Sequence, residues 1–164
     1  MIWFTSDEHY DHEAIRIACN RPFFTTKQMN KTIIKNHNEL VSNDDTVYHI
    51  GDFTMISPWD WSRIEKILDN LNGNHHLILG NHDRQKPFDL VEAGFISVHT
   101  SMELIYENRK FILIHDPAAS CINRDIPFLC GHIHNLFKIQ KNVINVGVDV
   151  WDFKPVSIET IIGK

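Results

Sequence analysis

One pairing recurs along this chain and limits what it can fold into: a short apolar run, then a small cluster of oxygen and nitrogen donors. The runs are residues 1–5, 46–50, 76–79, 111–114 and 127–130, rich in Ile, Val, Leu, Phe or Tyr. Their length and composition read as buried strands. Ser6, Asp7, Glu8 and His9 follow the first, and Gly51 and Asp52 the second. Gly80, Asn81, His82 and Asp83 follow the third, His115 and Asp116 the fourth, and Gly131, His132, Ile133 and His134 the fifth. Ligands of α/β sheets bind beyond the carboxyl ends of the strands, so five such ends brought together would build one site.

Between the runs lie amphipathic stretches. Residues 26–41 read as a helix with Met29, Ile33, Ile34, His37 and Leu40 or Val41 on one side. Residues 58–71 read as a second, with Ser57 as N-cap, Pro58 in the first turn, Asp60 as the capping-box acid, and an apolar face of Trp61, Ile64, Ile67, Leu68 and Leu71. Residues 102–106 and 110–114 suggest a hairpin around Glu107, Asn108 and Arg109, and residues 136–140 and 143–146 another at Lys141 and Asn142. A last short helix fits 157–162, capped by Ser157. Strands mixed with helices, then hairpins, point to sheet packed on sheet with helices outside.

The spacings suit metal binding. Asp7 and His9 are two apart, as are His132 and His134, so in an extended backbone each pair faces one side while Glu8 and Ile133 face away. Two carboxylates, one amide and four imidazoles form an oxygen–nitrogen set without thiolate, which suits Mn, Fe, Ni, Co or Zn better than Ca or Mg. Seven ligands exceed what one tetrahedral ion takes and suit two ions sharing a carboxylate. Any one of the histidines alone reads better as a polar strand end, and Asn81 alone as a turn residue; together with Asp7 and Asp52 they read as a site.

The order D-x-H, G-D, G-N-H-D, H, G-H-x-H resembles that of the calcineurin-like metallophosphoesterases. NRPF, VYHIGDF and NVGVDVWDFKPVS also resemble their short bacterial and phage members. The resemblance implies a four-layer α/β/β/α sandwich and a dinuclear, metal-dependent phosphoesterase. It implies that Asp7, His9, Asp52 and His134 hold one ion, and that Asp52, Asn81, His115 and His132 hold the other. His82 would be the catalytic acid and Asp83 would orient it. A hydroxide shared by the ions would attack phosphorus in line. Manganese is the first expectation for the ions.

The other histidines divide. His37 reads as structural, and His75 and His76 as exposed. His49 reads as orienting a ligand and His12 as facing substrate. Arg21 and Arg84 read either as phosphate clamps or as surface ion pairs. Asp116 reads as a loop cap.

The 164 residues suit one domain, taken as 1–164. The N-terminus lacks the pattern of a signal peptide, and no run reaches the ~18 apolar residues of a membrane span. Cys19, Cys121 and Cys130 form no framework and read as reduced thiols of a cytoplasmic protein. A net charge of −5 with no basic block argues against a long nucleic-acid track. The partner expected is a small phosphate ester, with a nucleotide or RNA end also open. Small phosphodiesters are the first expectation, because no insertion is long enough for a cap domain. A phosphomonoesterase and a non-catalytic metal-binding module are the alternatives.

Overall fold

The computed structural model describes residues 1–57, 59–118 and 125–163, so Pro58 and Cys121 lie outside the described residues. Two five-stranded sheets form the frame. In the first, β1 (Ile2–Thr5), β2 (Thr46–Ile50), β3 (Asn74–Ile78) and β4 (Ser97–His99) run parallel, and the short β10 (Val156–Ser157) joins β1 antiparallel. In the second, β6 (Arg109–Ile114), β7 (Phe128–Cys130) and β9 (Val143–Asn145) run parallel, with β5 (Ser101–Tyr106) and β8 (Ile139–Gln140) antiparallel at the edges.

Two apolar clusters explain the layering. Phe4, Tyr48, Ile50 and Ile78 of the first sheet meet Leu104, Phe111, Leu113 and Leu129 of the second, the face-to-face packing that buries both inner surfaces. Ile158, Ile161 and Ile162 of α5 (Ile158–Ile162) complete that cluster, as α5 packs on β1 and β10. The other face of the first sheet is covered by α1 (Glu13–Ala18), α2 (Thr26–Leu40), α3 (Trp61–Leu68) and α4 (Pro87–Glu92), through Ile15, Met29, Ile33, Ile64, Ile67, Leu68 and Leu90. The result is the expected α/β sandwich of two packed sheets with helices against them.

Local chemistry sets most boundaries. Thr25 caps α2 by accepting the Gln28 N–H at 3.1 Å, and Ser157 caps α5 by accepting that of Thr160 at 3.1 Å. The first hairpin turns through Glu107 and Asn108, both left-handed with φ 48° and 61°, as a two-residue turn requires. The second helix is shorter than 58–71. Asp60 rather than Ser57 stands at its N-cap, because the Asp60 N–H is already turned back onto the Ser57 carbonyl at 3.0 Å.

Candidate active site

The frame brings the sequence-predicted donors to one edge. The ends of β1, β2, β3, β6 and β7 deliver Asp7 and His9, Asp52, Asn81, His115, and His132 and His134. The sheets are joined there by a bridge between Ser6 and Gly147. Asp7, His9, Asp52, His132 and His134 all sit in the left-handed backbone region, with φ from 45° to 71°. For residues other than glycine this conformation is uncommon, and it persists only where the surroundings hold it.

Those surroundings are hydrogen bonds between loops. The His132 N–H lies 3.1 and 3.0 Å from the two Asp7 oxygens, and Ser6 Oγ donates to Asp7 Oδ2 at 2.9 Å. The His82 N–H donates to Asp52 Oδ1 at 2.8 Å. Gly80 and Gly131 exist for close approach: a Cβ on Gly80 would strike the Asp52 carboxylate, and one on Gly131 would strike Ser6 Oγ and stand 2.5 Å from Asp7 Oδ2.

Donor atoms converge in two groups. One oxygen of Asp7 lies within 4.8 Å of ring nitrogens of His9 and His134, and the atoms of Asp7, Asp52 and His115 meet the same limit. Asp52 Oδ2 stands 3.5 Å from His9 Nε2 and 3.4 Å from His115 Nε2. Asn81 Oδ1 reaches His115 Nε2 at 3.2 Å and His132 Nδ1 at 2.9 Å. Burial pushes the Asp7 carboxyl up to about 6 and the His9 imidazole down to about 2. Burial opposes ionisation of Asp52 too, but its contact with His115 holds it down at about 2 and, against burial, lifts His115 to about 9.

The arrangement fits divalent ions. His9 Nε2 is buried with no hydrogen-bond partner among the described residues, an unsatisfied acceptor aimed among carboxylates. Other ring nitrogens are tied: His115 Nδ1 to the Ile50 carbonyl at 2.8 Å, His134 Nδ1 to Asp149 Oδ2 at 3.0 Å, His9 Nδ1 to His12 Nδ1 at 3.0 Å. Such contacts fix the tautomer that offers the opposite nitrogen to a metal.

Four expectations need correction. Asp83 is buried, and its carboxylate accepts the N–H groups of Asp52 (2.8 Å), Phe53 (3.0 Å) and Gly80 (2.8 Å). It ties the ends of β2 and β3 together, while His82 Nδ1 has no hydrogen-bond partner among the described residues, so Asp83 does not orient that ring through Nδ1. Arg21 is neither a phosphate clamp nor a surface pair. It is 5 % exposed and spends its five N–H groups on Asp149, Glu8 O, Met29 Sδ and Asp7 O. His75 is buried rather than exposed, joined to His49 at 2.9 Å, and His76 is half-buried. His49 in turn meets Glu8, the residue between two donors, rather than a donor itself.

The remaining residues stand as follows. His82 and His12 are half-buried beside His9, with ring centroids 5.3 and 5.0 Å from it. Arg84 is exposed. Asp116 does cap its loop, accepting the Ala118 N–H at 2.8 Å. The residue that sequence reasoning missed is Asp149. Its signal was the same as the others, an acid directly after the apolar stretch from Val143 to Val148.

The family model of the calcineurin-like phosphoesterases matches residues 1–154. The chain belongs to that family. It is therefore a metal-dependent phosphoesterase, a hydrolase of phosphate esters. An uncharacterized protein of Methanocaldococcus jannaschii is 35 % identical, across 98 % of this chain and 89 % of its own length. A protein of unknown function from Aquifex aeolicus shares the fold with a TM-score of 0.79 and 24 % identity, over 99 % of this chain and 98 % of that one. A novel archaeal phosphodiesterase matches with a TM-score of 0.52 and 21 % identity, over 89 % and 81 % of the two chains. Among the described residues no helix is long and apolar enough to cross a membrane.

Proposed function

We propose that residues 1–164 act as one domain that hydrolyses small phosphodiesters with two divalent ions, manganese first among them. Asp7, His9, Asp52 and His134 would hold one ion, and Asp52, Asn81, His115 and His132 the other. The observation that carries this is the place of Asp52 Oδ2, 3.5 Å from His9 Nε2 and 3.4 Å from His115 Nε2. Two donors on one ion at ~2.0–2.2 Å stand roughly 3–3.5 Å apart, so a single oxygen is spaced for an ion on either side.

Bound ions of this kind polarise a phosphate and supply a nucleophilic water near neutral pH. The chain's part is to aim them and to manage the leaving group. His82 is half-buried beside His9 with its backbone N–H pinned to Asp52, so its ring would stand beside a bound phosphate without being a ligand. A positioned imidazole that protonates the leaving oxygen contributes ~10²–10⁴-fold. His12 and Arg84 are the neighbours left to contact substrate.

The preference for diesters is supported by the open mouth, where Asn81 and His132 are exposed, and by Arg21. A monoester dianion gains from a guanidinium on its extra oxygen, and Arg21 has no donor left to give. A nucleotide or RNA end fits the same cleft. Cys19 and Cys130 are free thiols, which supports a reducing, cytoplasmic setting. The test compares kcat/KM for bis-p-nitrophenyl phosphate, a 2′,3′-cyclic nucleotide and p-nitrophenyl phosphate at saturating Mn²⁺. Diesters should win. A tenfold advantage for the monoester would replace this reading with a phosphatase, and no turnover with any metal would leave a binding module.

A further inference from the structure

We propose that Arg21 and Asp149 form a positioning pair that sets how tightly the Asp7, His9 and His134 end of the site holds its ion. The inference rests on the two-ion reading above. His134 Nδ1 lies 3.0 Å from Asp149 Oδ2. A histidine that gives Nε2 to an ion must carry its proton on Nδ1, and a carboxylate there fixes the tautomer, holds the ring plane and raises the basicity of the ligand nitrogen.

Asp149 is itself fixed. Arg21 grips both its oxygens, Nε to Oδ1 at 2.8 Å and Nη2 to Oδ2 at 2.9 Å, the two-pronged geometry that only a guanidinium offers. The same group donates to the carbonyls of Asp7 at 2.6 Å and Glu8 at 3.0 Å. One buried side chain thus ties the His134 loop, from the second sheet, to the backbone that carries Asp7 and His9, from the first. Asp7 and His134 both have positive φ, 56° and 45°, so each needs such an external hold.

The charge balance also makes sense. Cys19, His134 and Asp149 bring ligand atoms within 4.8 Å of one another and resemble a third metal site. The Arg21 guanidinium already supplies the cation Asp149 would attract. Asp149 can therefore polarise His134 without drawing an ion out of the cleft.

The test loads the full chain with Mn²⁺, titrates it with a competing chelator, and follows released Mn²⁺ by electron paramagnetic resonance. Wild type should release two ions. Asp149→Ala should release one of them at ~10–100-fold lower chelator strength and the other at the wild-type strength. General loosening of the fold would move both together, and that result would overturn the pair's role, as would release of both ions unchanged. Asp149→Asn keeps the shape and an acceptor for His134 but loses the charge. It should shift the same ion by less, and it carries the test if the alanine variant does not fold; an unshifted asparagine variant would then overturn the proposal. Wild-type protein that retains no Mn²⁺ would remove the two-ion reading itself, a result distinct from any in the variants.

Discussion

Glu8 Oε1 stands 2.6 Å from His49 Nδ1, and both side chains are sealed from solvent directly beneath the donor cluster. From His49 the chain of contacts runs to His75 at 2.9 Å, while His37 lies against both rings and meets the Asn72 carbonyl at 2.7 Å. Burial pushes Glu8 up to about 7, His49 and His75 down to about 3, and His37 down to about 4. Below about pH 7 the network is thus neutral: Glu8 keeps its proton and donates it to His49 Nδ1, and the single N–H of His49, at Nε2, donates to His75 Nδ1. The stability tied to Glu8 is full below its unfolded value of 4.5 and is lost as pH rises through about 7. The stability tied to the three histidines is full above 6.5 and is lost as pH falls toward 4 and then 3. Below pH 6.5 three groups outweigh one, so the melting temperature should fall steadily as pH drops to 4. Glu8→Gln keeps a neutral donor to His49 but removes the one contribution that grows toward acid, so it should steepen the loss between pH 7 and 4.5. Melts across pH 4–8 check both, and a wild type that grows more stable toward acid would refute the neutral network.

Asp52→Asn addresses the proposed shared ligand. The amide keeps the size of the carboxylate, and its oxygen can still accept the His82 N–H, so the fold should hold. It removes the charge on the oxygen that faces both His9 and His115. Metal content after dialysis against Mn²⁺ should drop from two ions toward one or none. Turnover should fall further than the ~10–100-fold typical of losing a residue behind a ligand. Near-wild-type metal content and rate would move the bridging role to Asp7, which belongs to both donor groups.

Much of this site was legible because its grammar is local. An apolar run long enough for a strand, followed at once by a donor, marks a strand end whatever the partner strands are, and the seven donors at 7, 9, 52, 81, 115, 132 and 134 were read that way. Helix α2 was legible from four turns of period. Helices α1 and α4 were not, since six residues hold too few turns to show a period. Strands β4 and β10, of three and two residues, owe their state to β3 and β1 rather than to themselves. Arg21 was misread for a related reason. Its partner Asp149 is 128 residues away, and nothing in NRPF says that its guanidinium points inward.

Asp83 and His82, neighbours in sequence, should fail differently. His82→Ala removes a ring that packs on His9 but lends no ligand atom in the proposed site, and the backbone N–H to Asp52 stays, so metal content and melting temperature should stay close to wild type while kcat falls ~10²-fold or more. Asp83→Ala strands the N–H groups of Asp52, Phe53 and Gly80, each costing ~1–3 kcal/mol where buried. At ~2–4 °C per kcal/mol for a chain of this size, the melt should drop by several degrees, with metal lost as the Asp52 turn slackens. Calorimetry and metal analysis of the two proteins side by side check this. If Asp83→Ala instead kept its metals and its stability and lost only kcat, the carboxylate would serve His82 after all.

Gly131→Ala isolates a single steric contact. The backbone at Gly131 is one that alanine can adopt, since its φ is not positive, so the substitution adds no conformational strain. Its new Cβ would meet Ser6 Oγ and stand 2.5 Å from Asp7 Oδ2, far inside contact distance. Something must move, and both atoms belong to short, buried side chains held by hydrogen bonds to Ile50 O and the His132 N–H. The displacement falls on Asp7, so metal affinity and turnover should both fall, with the Asp7 end of the site affected first. Gly163→Ala is the opposite case. Gly163 closes α5 in the left-handed region at φ 78°, and a Cβ there meets nothing within 4 Å. It should cost ~1 kcal/mol of stability and leave metal binding and rate unchanged. Melting temperature, Mn²⁺ content and kcat/KM, measured on the pair, separate the two kinds of glycine. Equal loss of activity in both would mean that general destabilisation, rather than the approach of β7 to Asp7, governs the site.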